Sequence, residues 1–302
     1  MPLLFPHVAH AHRDSASLAS RESESHAKIA LMQPSQIARD GTDLALILTC
    51  ALILYSLFAG VLQRGLLRKL YGGAYDGLED TASSKGNERQ RISFTYHHVA
   101  SISFGIILLI GAYPAISFTC GSGTLPTPLN GTSGITIGDI LSILVQVYCG
   151  YYLFEVTFRS RYISFVALAH HIGLLIIAQT AAVLGSRASK SAEATKEFYL
   201  CVVWGAFDIV TEFPLHIVLI IWRIKRRNSR LCYKIACGCT AWVLAMAFTE
   251  TIITAWLLAQ SWAGWQLQWQ IITPTIFTLW ICTQLYGAAI FLRMARQQRT
   301  LQ

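Results

Sequence analysis

The sequence predicts an all-α membrane protein of about seven transmembrane helices, and three observations carry that prediction. Of its 302 residues, 54% are hydrophobic and 13% charged, about half the charged fraction of an ordinary soluble domain. The apolar residues gather in runs of the length a helix needs, at ~1.5 Å per residue, to cross ~30 Å of hydrocarbon. The runs lack period-two alternation, so the expected spanning element is the helix, which satisfies its own backbone in lipid.

The chain opens with a polar segment, 1–42, containing His7, His10 and His12 and a Ser-rich stretch, read as a disordered tail without a cleavable signal peptide. The first apolar run is 43–62. A polar loop follows over 63–96, where Gly72-Gly73 and Ser83-Ser84-Lys85-Gly86-Asn87 signal flexibility. Six further runs cover 97–119, 138–157, 162–184, 198–222, 232–258 and 270–292. The resulting organisation is a tail (1–42), a first helix (43–62), a loop (63–92), a six-helix domain (93–298) and a short tail (299–302).

The formal charge of +8 does not point to nucleic acid, because the basic residues flank the apolar runs in short clusters. Arg64, Arg68, Lys69, Lys85, Arg89, Arg91, Arg159, Arg161, Arg223, Lys225, Arg226, Arg227, Arg230, Arg293, Arg296 and Arg299 all fall on one side of the predicted membrane. Two loops of the other side, 120–137 and 259–269, read as uncharged. The positive-inside rule then puts the N-terminus in a lumen or outside and the C-terminus in the cytosol. The sequon Asn130-Gly131-Thr132 lies on the lumenal side and makes Asn130 a candidate glycosylation site. Trp262, Trp265 and Trp269 suit an interfacial belt on that side. The eight cysteines include no CxxC pair and sit mostly within spans, so no disulfide framework is expected, while Cys232 and Cys237 are candidates for palmitoylation.

Ionisable groups at bilayer depth are costly, by ~2.5–3.5 kcal/mol each even on the lenient insertion scale, and by default mark function. They are Glu155, His170, His171, Asp208, Glu212, His216 and Glu250. Asp208, Glu212 and His216 are spaced by four and form one stripe on the fifth span, with Pro214 breaking a backbone bond between the last two. Depth allows Glu155, His170, His171, Glu212 and His216 to cluster in the cytosolic half, with Glu250 in the lumenal half. Adjacent histidines lie ~100° apart around a helix, which favours His171 as the inward one. His97 and His98 fall at the cytosolic edge and read as interfacial. An imidazole beside a carboxylate can act as base, acid or nucleophile, can bind a transition metal, or can simply tie two helices together.

Three segments resemble the TLC-domain family, which includes ceramide synthases, translocating-chain-associating proteins and ceroid-lipofuscinosis membrane proteins. They are Tyr148-Cys149-Gly150-Tyr151-Tyr152-Leu153-Phe154-Glu155, Phe165-Val166-Ala167-Leu168-Ala169-His170-His171-Ile172 and Phe207-Asp208-Ile209-Val210-Thr211-Glu212. The resemblance covers about 93–298 and implies a six-helix bundle around a lipid-facing cavity, in the endoplasmic reticulum. It implies catalytic roles for His170 and His171, with Glu155, Asp208, Glu212 and His216 lining or orienting the site. The chain departs from ceramide synthases after the pair, where Gly173 to Gln179 are nearly all apolar and those enzymes carry a polar signature with paired aspartates. The expected function is therefore action on lipids, as an acyltransferase using the His pair or, alternatively, as a non-catalytic lipid-binding or trafficking protein. Membrane lipids are the expected partners, with acyl-CoA as a candidate donor and a homodimer left open; no cofactor and no metal are assigned. A seven-helix receptor is the remote alternative, since no Asp-Arg-Tyr follows the third span and no Asn-Pro-x-x-Tyr lies in the seventh.

Overall fold

A computed structural model describes residues 36–76, 84–129, 134–159, 164–185 and 192–302. Asn130, Arg161 and the histidines of the N-terminal tail lie outside them. The chain divides into two units, Met1–Leu46 and Ile47–Gln302. The described part of the first is the start of helix α1, and the helical bundle belongs to the second.

The described residues are almost entirely helical, the one extended pairing being an isolated bridge between Pro128 and Thr136. Helix α1 (Gln36–Tyr55) continues through a π-helical segment (Ser56–Leu66) into α2 (Leu67–Tyr71). A glycine, Gly72, ends the run at φ 48°, a backbone region open to residues without a Cβ, and the short α3 (Gly73–Asp76) follows. The long helices are α4 (Ser84–Thr119), α5 (Ile137–Arg159), α6 (Phe165–Gly185), α7 (Ala192–Ile224), α8 (Ser229–Ser261) and α9 (Leu267–Thr300). Six helices are long and apolar enough to cross a membrane, and a shorter apolar stretch, Phe165–Thr180, lies in α6. With 21 residues, α6 spans ~31 Å at ~1.5 Å per residue. The chain is an all-α membrane bundle.

The expected loop over 63–96 is largely helix instead. Arg64, Arg68 and Lys69 alternate with Leu62, Leu67, Tyr71 and Tyr75, and the apolar members of that set are buried or half-buried. Tyr71 and Tyr75 both pack on Phe94, so tertiary burial extends a helix whose polar side alone reads as a loop. Residues that read as the end of that loop, Ile92 to Tyr96, form a well-packed part of α4.

Helix starts carry their own signals. At the head of α5, Thr136 and Asp139 cap reciprocally: the Thr136 N–H donates to Asp139 Oδ2 at 2.8 Å, and the Asp139 N–H to Thr136 Oγ1 at 3.2 Å. The Asn228 side chain accepts from the Leu231 N–H at 3.0 Å and starts α8. Pro214 sits inside α7, and Trp242 Nε1 donates to the nearby Thr211 carbonyl at 3.1 Å.

Large apolar side chains face outward, Leu109 and Phe165 each more than four-fifths exposed, while tyrosines and charged groups fill the centre. That inversion is expected when lipid is the solvent. Trp262 is exposed as an interfacial residue should be, but Trp265 is buried. The Cys232 thiol donates to the Lys225 carbonyl at 3.5 Å. All eight cysteines are free thiols.

Gly150 allows α1 and α5 to touch. A Cβ built there would stand 2.7 Å from Cys50 Cβ and 3.0 Å from the Ile47 carbonyl oxygen. Gly150→Val is therefore expected to cost about 1–3 kcal/mol through overpacking, read as a lowered melting temperature in detergent; an unchanged melt would contradict this packing.

Candidate functional site

Four residues on one face of α5, Tyr148, Tyr152, Glu155 and Arg159, follow the three-to-four residue spacing that stacks side chains along a helix. They meet the Asp208–Glu212–His216 stripe of α7 and the histidine pair of α6. Helices α4 and α9 close the site with Ser93, Tyr96 and His97 on one side and Trp280 and Thr283 on the other.

Asp208 is at its centre. The hydroxyls of Tyr148 and Tyr152 both donate to Oδ2, each at 2.6 Å, while Oδ1 faces His170 Nε2 at 3.8 Å. The other nitrogen of His170, Nδ1, is 3.1 Å from Thr283 Oγ1, and its ring packs on Trp280 with centroids 4.5 Å apart. One ring nitrogen of His170, an Asp208 carboxylate oxygen and a Glu212 carboxylate oxygen lie within 4.8 Å of one another.

Glu155 serves the second histidine. Its Oε1 accepts from Arg159 at 2.5 Å and lies 3.4 Å from His171 Nε2. The His171 ring stacks on Tyr152 at 5.0 Å, and His171 Nδ1 is buried with no hydrogen-bond partner. Arg159 also lies over the Tyr96 ring, 3.7 Å from its centroid, in cation–π contact. Tyr96 and Tyr151 share a short hydroxyl–hydroxyl hydrogen bond.

From Glu212 a polar line runs toward the basic end of the bundle. His216 Nε2 is 3.6 Å from Glu212 Oε2 and His216 Nδ1 is 2.9 Å from His97 Nδ1. His97 Nε2 is 3.4 Å from Ser93 Oγ, which accepts from Arg223 at 2.8 Å.

All five residues expected to cluster do so, and Asp208 joins them. The expected division of the histidine pair is different: both reach the polar interior, because the ~100° between them is matched by two carboxylates on two neighbouring helices. His97 is buried, not interfacial, since His216 reaches it from α7; His98 bonds Tyr71 at 2.8 Å. Glu250 bonds Gln284 of α9 at 2.6 Å and has no direct contact with the histidines among the described residues. Sequence reasoning missed Tyr96, Tyr148, Tyr152, Arg159 and Thr283. The spacing of Tyr148, Tyr152, Glu155 and Arg159 was the available signal, masked because Arg159 also reads as a topological charge.

Beside this polar cluster lies an apolar cavity of about 220 Å³, walled by α4, α5, α6 and α7 and including Leu144, Leu174, Val202 and Gly205. Two of its lining residues carry the polar site's contacts: Tyr148, which bonds Asp208, and Trp280, which packs on His170. A second cavity, of about 250 Å³, lies between α6, α7 and α9 and shares Ile177, Cys201 and Trp204 with the first.

No protein-family model, curated protein or solved structure matches the chain.

Removing one member of a buried ion pair strands the other, at ~3–5 kcal/mol. Arg159→Ala is expected to destabilise by about that amount, and adding Glu155→Gln to recover at least ~1 kcal/mol of it. A double-mutant cycle on melting in detergent checks this; additive losses would mean that the pair contributes nothing as a pair.

Proposed function

We propose that this chain handles acyl lipids inside the membrane and transfers an acyl group at its histidine pair. The observation that carries the reading is the cavity: a predominantly apolar pocket includes in its wall Tyr148 and Trp280, which contact Asp208 and His170 respectively. A ligand shaped to fill both regions has a hydrocarbon tail and a polar, reactive head. The three segments that resemble the TLC-domain family supply the tyrosines, the histidines and the aspartate of that arrangement, which supports the same reading. So does the apolar outer surface, which puts the cavity's mouth in reach of lipid.

The chemistry follows from the unpartnered nitrogen. With Nε2 turned to Glu155, His171 has its Nδ1 lone pair free for a proton, and the carboxylate stabilises the imidazolium that forms. In transfer from a thioester such as an acyl-CoA, an amine or hydroxyl acceptor gives its proton to His171 Nδ1 as its N or O bonds the acyl carbon. The C–S bond breaks, and the departing thiolate takes the proton back from His171. His170, between Asp208 and the cavity end, orients the acyl carbonyl. The reading includes an endoplasmic reticulum membrane, with the arginine-rich ends of the helices in the cytosol, where acyl-CoA is made available.

Whole-membrane lipid mass spectrometry on cells making wild type, His171→Ala, or neither at matched expression tests the proposal. Transfer predicts a lipid class that changes at least ~100-fold less with His171→Ala, within the ~10²–10⁴-fold typical of a positioned base. Wild type and variant acting alike would reject it. A lipid that co-purifies equally with both would instead favour a carrier that binds without turnover.

A further inference from the structure

The geometry points to a divalent transition-metal site formed by His170 Nε2, Asp208 Oδ1 and a Glu212 carboxylate oxygen. Sequence alone assigned no metal, because these ligands come from two helices and match no spacing motif. Three features bring them forward, and none depends on whether an acyl group is transferred.

The first is proximity. One ligand atom from each of His170, Asp208 and Glu212 lies within 4.8 Å of the other two, and His170 Nε2 is 3.8 Å from Asp208 Oδ1. Ligands ~2.1 Å from a tetrahedral zinc stand ~3.4 Å apart, so the first pair closes by a few tenths of an ångström. Glu212, a quarter exposed, has room to swing in.

The second is the way each ligand's remaining atom is held. Metal-bound histidines and carboxylates are oriented by outer hydrogen bonds to their non-ligating atoms. His170 has Nδ1 on Thr283 Oγ1, leaving Nε2 inward, and Asp208 has Oδ2 on two tyrosine hydroxyls, leaving Oδ1 inward.

The third is the absence of lysine and arginine contacts on the two carboxylates among the described residues. Asp208 and Glu212 have no lysine or arginine partner among the described residues, the nearest guanidinium bond of the cluster being taken by Glu155. His216, more than nine-tenths buried, turns Nε2 toward Glu212 at 3.6 Å with no hydrogen-bond partner of its own. It stands ready to hold Glu212 as an outer partner. Imidazole and carboxylate donors suit zinc, iron or manganese rather than softer ions. Three protein ligands leave a position open, as catalytic metal sites do.

The test is cobalt titration of the chelator-stripped full-length protein in detergent. It is purified without an oligohistidine tag and with His7, His10, His12 and His26 replaced by alanine, so that no tail histidine contributes. One equivalent of Co²⁺ is expected to produce ligand-field absorption, to be displaced by Zn²⁺, and to raise the melting temperature. Asp208→Asn should abolish all three. Should that variant not fold, Thr283→Val removes only an outer hydrogen bond and should weaken Co²⁺ by ~10–100-fold. Absence of saturable binding, or affinity unchanged by Thr283→Val and by Asp208→Asn where it folds, would overturn the site. Because the readout is metal content and not lipid turnover, its failure leaves the acyl-transfer reading standing, and the reverse also holds.

Discussion

Asp208, accepting from two tyrosines and facing His170, is the interaction on which the rest of the structure depends. A carboxylate at bilayer depth survives only with strong partners, because its desolvation costs several kcal/mol. Charge-assisted hydrogen bonds return about 1.5–3 kcal/mol each, and Asp208 has two at 2.6 Å. Those two bonds fix the faces of α5 and α7 against each other. Once that register is set, Glu155 falls beside His171, Arg159 comes over Tyr96, and His216 meets His97. The polar centre is thus a single arrangement of five helices, and the apolar remainder of each helix is free to face lipid or to wall a cavity.

The same register places chemistry next to empty apolar space. Tyr148 and Trp280 are shared by the cavity and the polar cluster, so the boundary between the apolar and polar regions is one residue thick. Two imidazoles on one helix then serve different partners, His170 with Asp208 and His171 with Glu155. Adjacent histidines on a helix point apart, so a tandem pair between two acidic helices yields two polar positions, one at the cavity end and one beside an arginine.

Much of this was legible in the sequence. The fold class followed from hydrophobic run lengths and scarce charge, and the cluster followed from counting depth along antiparallel helices. What depth could not supply was direction around each helix. Arg159 read as a topological charge because a cationic side chain at a helix end satisfies the positive-inside rule whether it points to water or folds back to Glu155. His97 read as interfacial because its burial comes from His216, 119 residues away. The extension of α1 into α2 was hidden since its polar face carries the same residues a loop would, and the difference lies in Phe94 receiving Tyr71 and Tyr75. In each case a long-range contact decided between two readings that local pattern leaves equal.

The central claim is that the apolar cavity and the polar cluster form one lipid site. Gly205 lines the cavity, and a Cβ there meets no atom within 4 Å, so Gly205→Leu fills the space without disturbing the polar network. Native mass spectrometry of the full chain released from mild detergent measures the outcome directly. A single lipid site predicts one acyl lipid per wild-type chain and its loss from Gly205→Leu, with the melting temperature of the lipid-free proteins unchanged. The same lipid bound in the same amount to both proteins, or none bound to wild type, would contradict it.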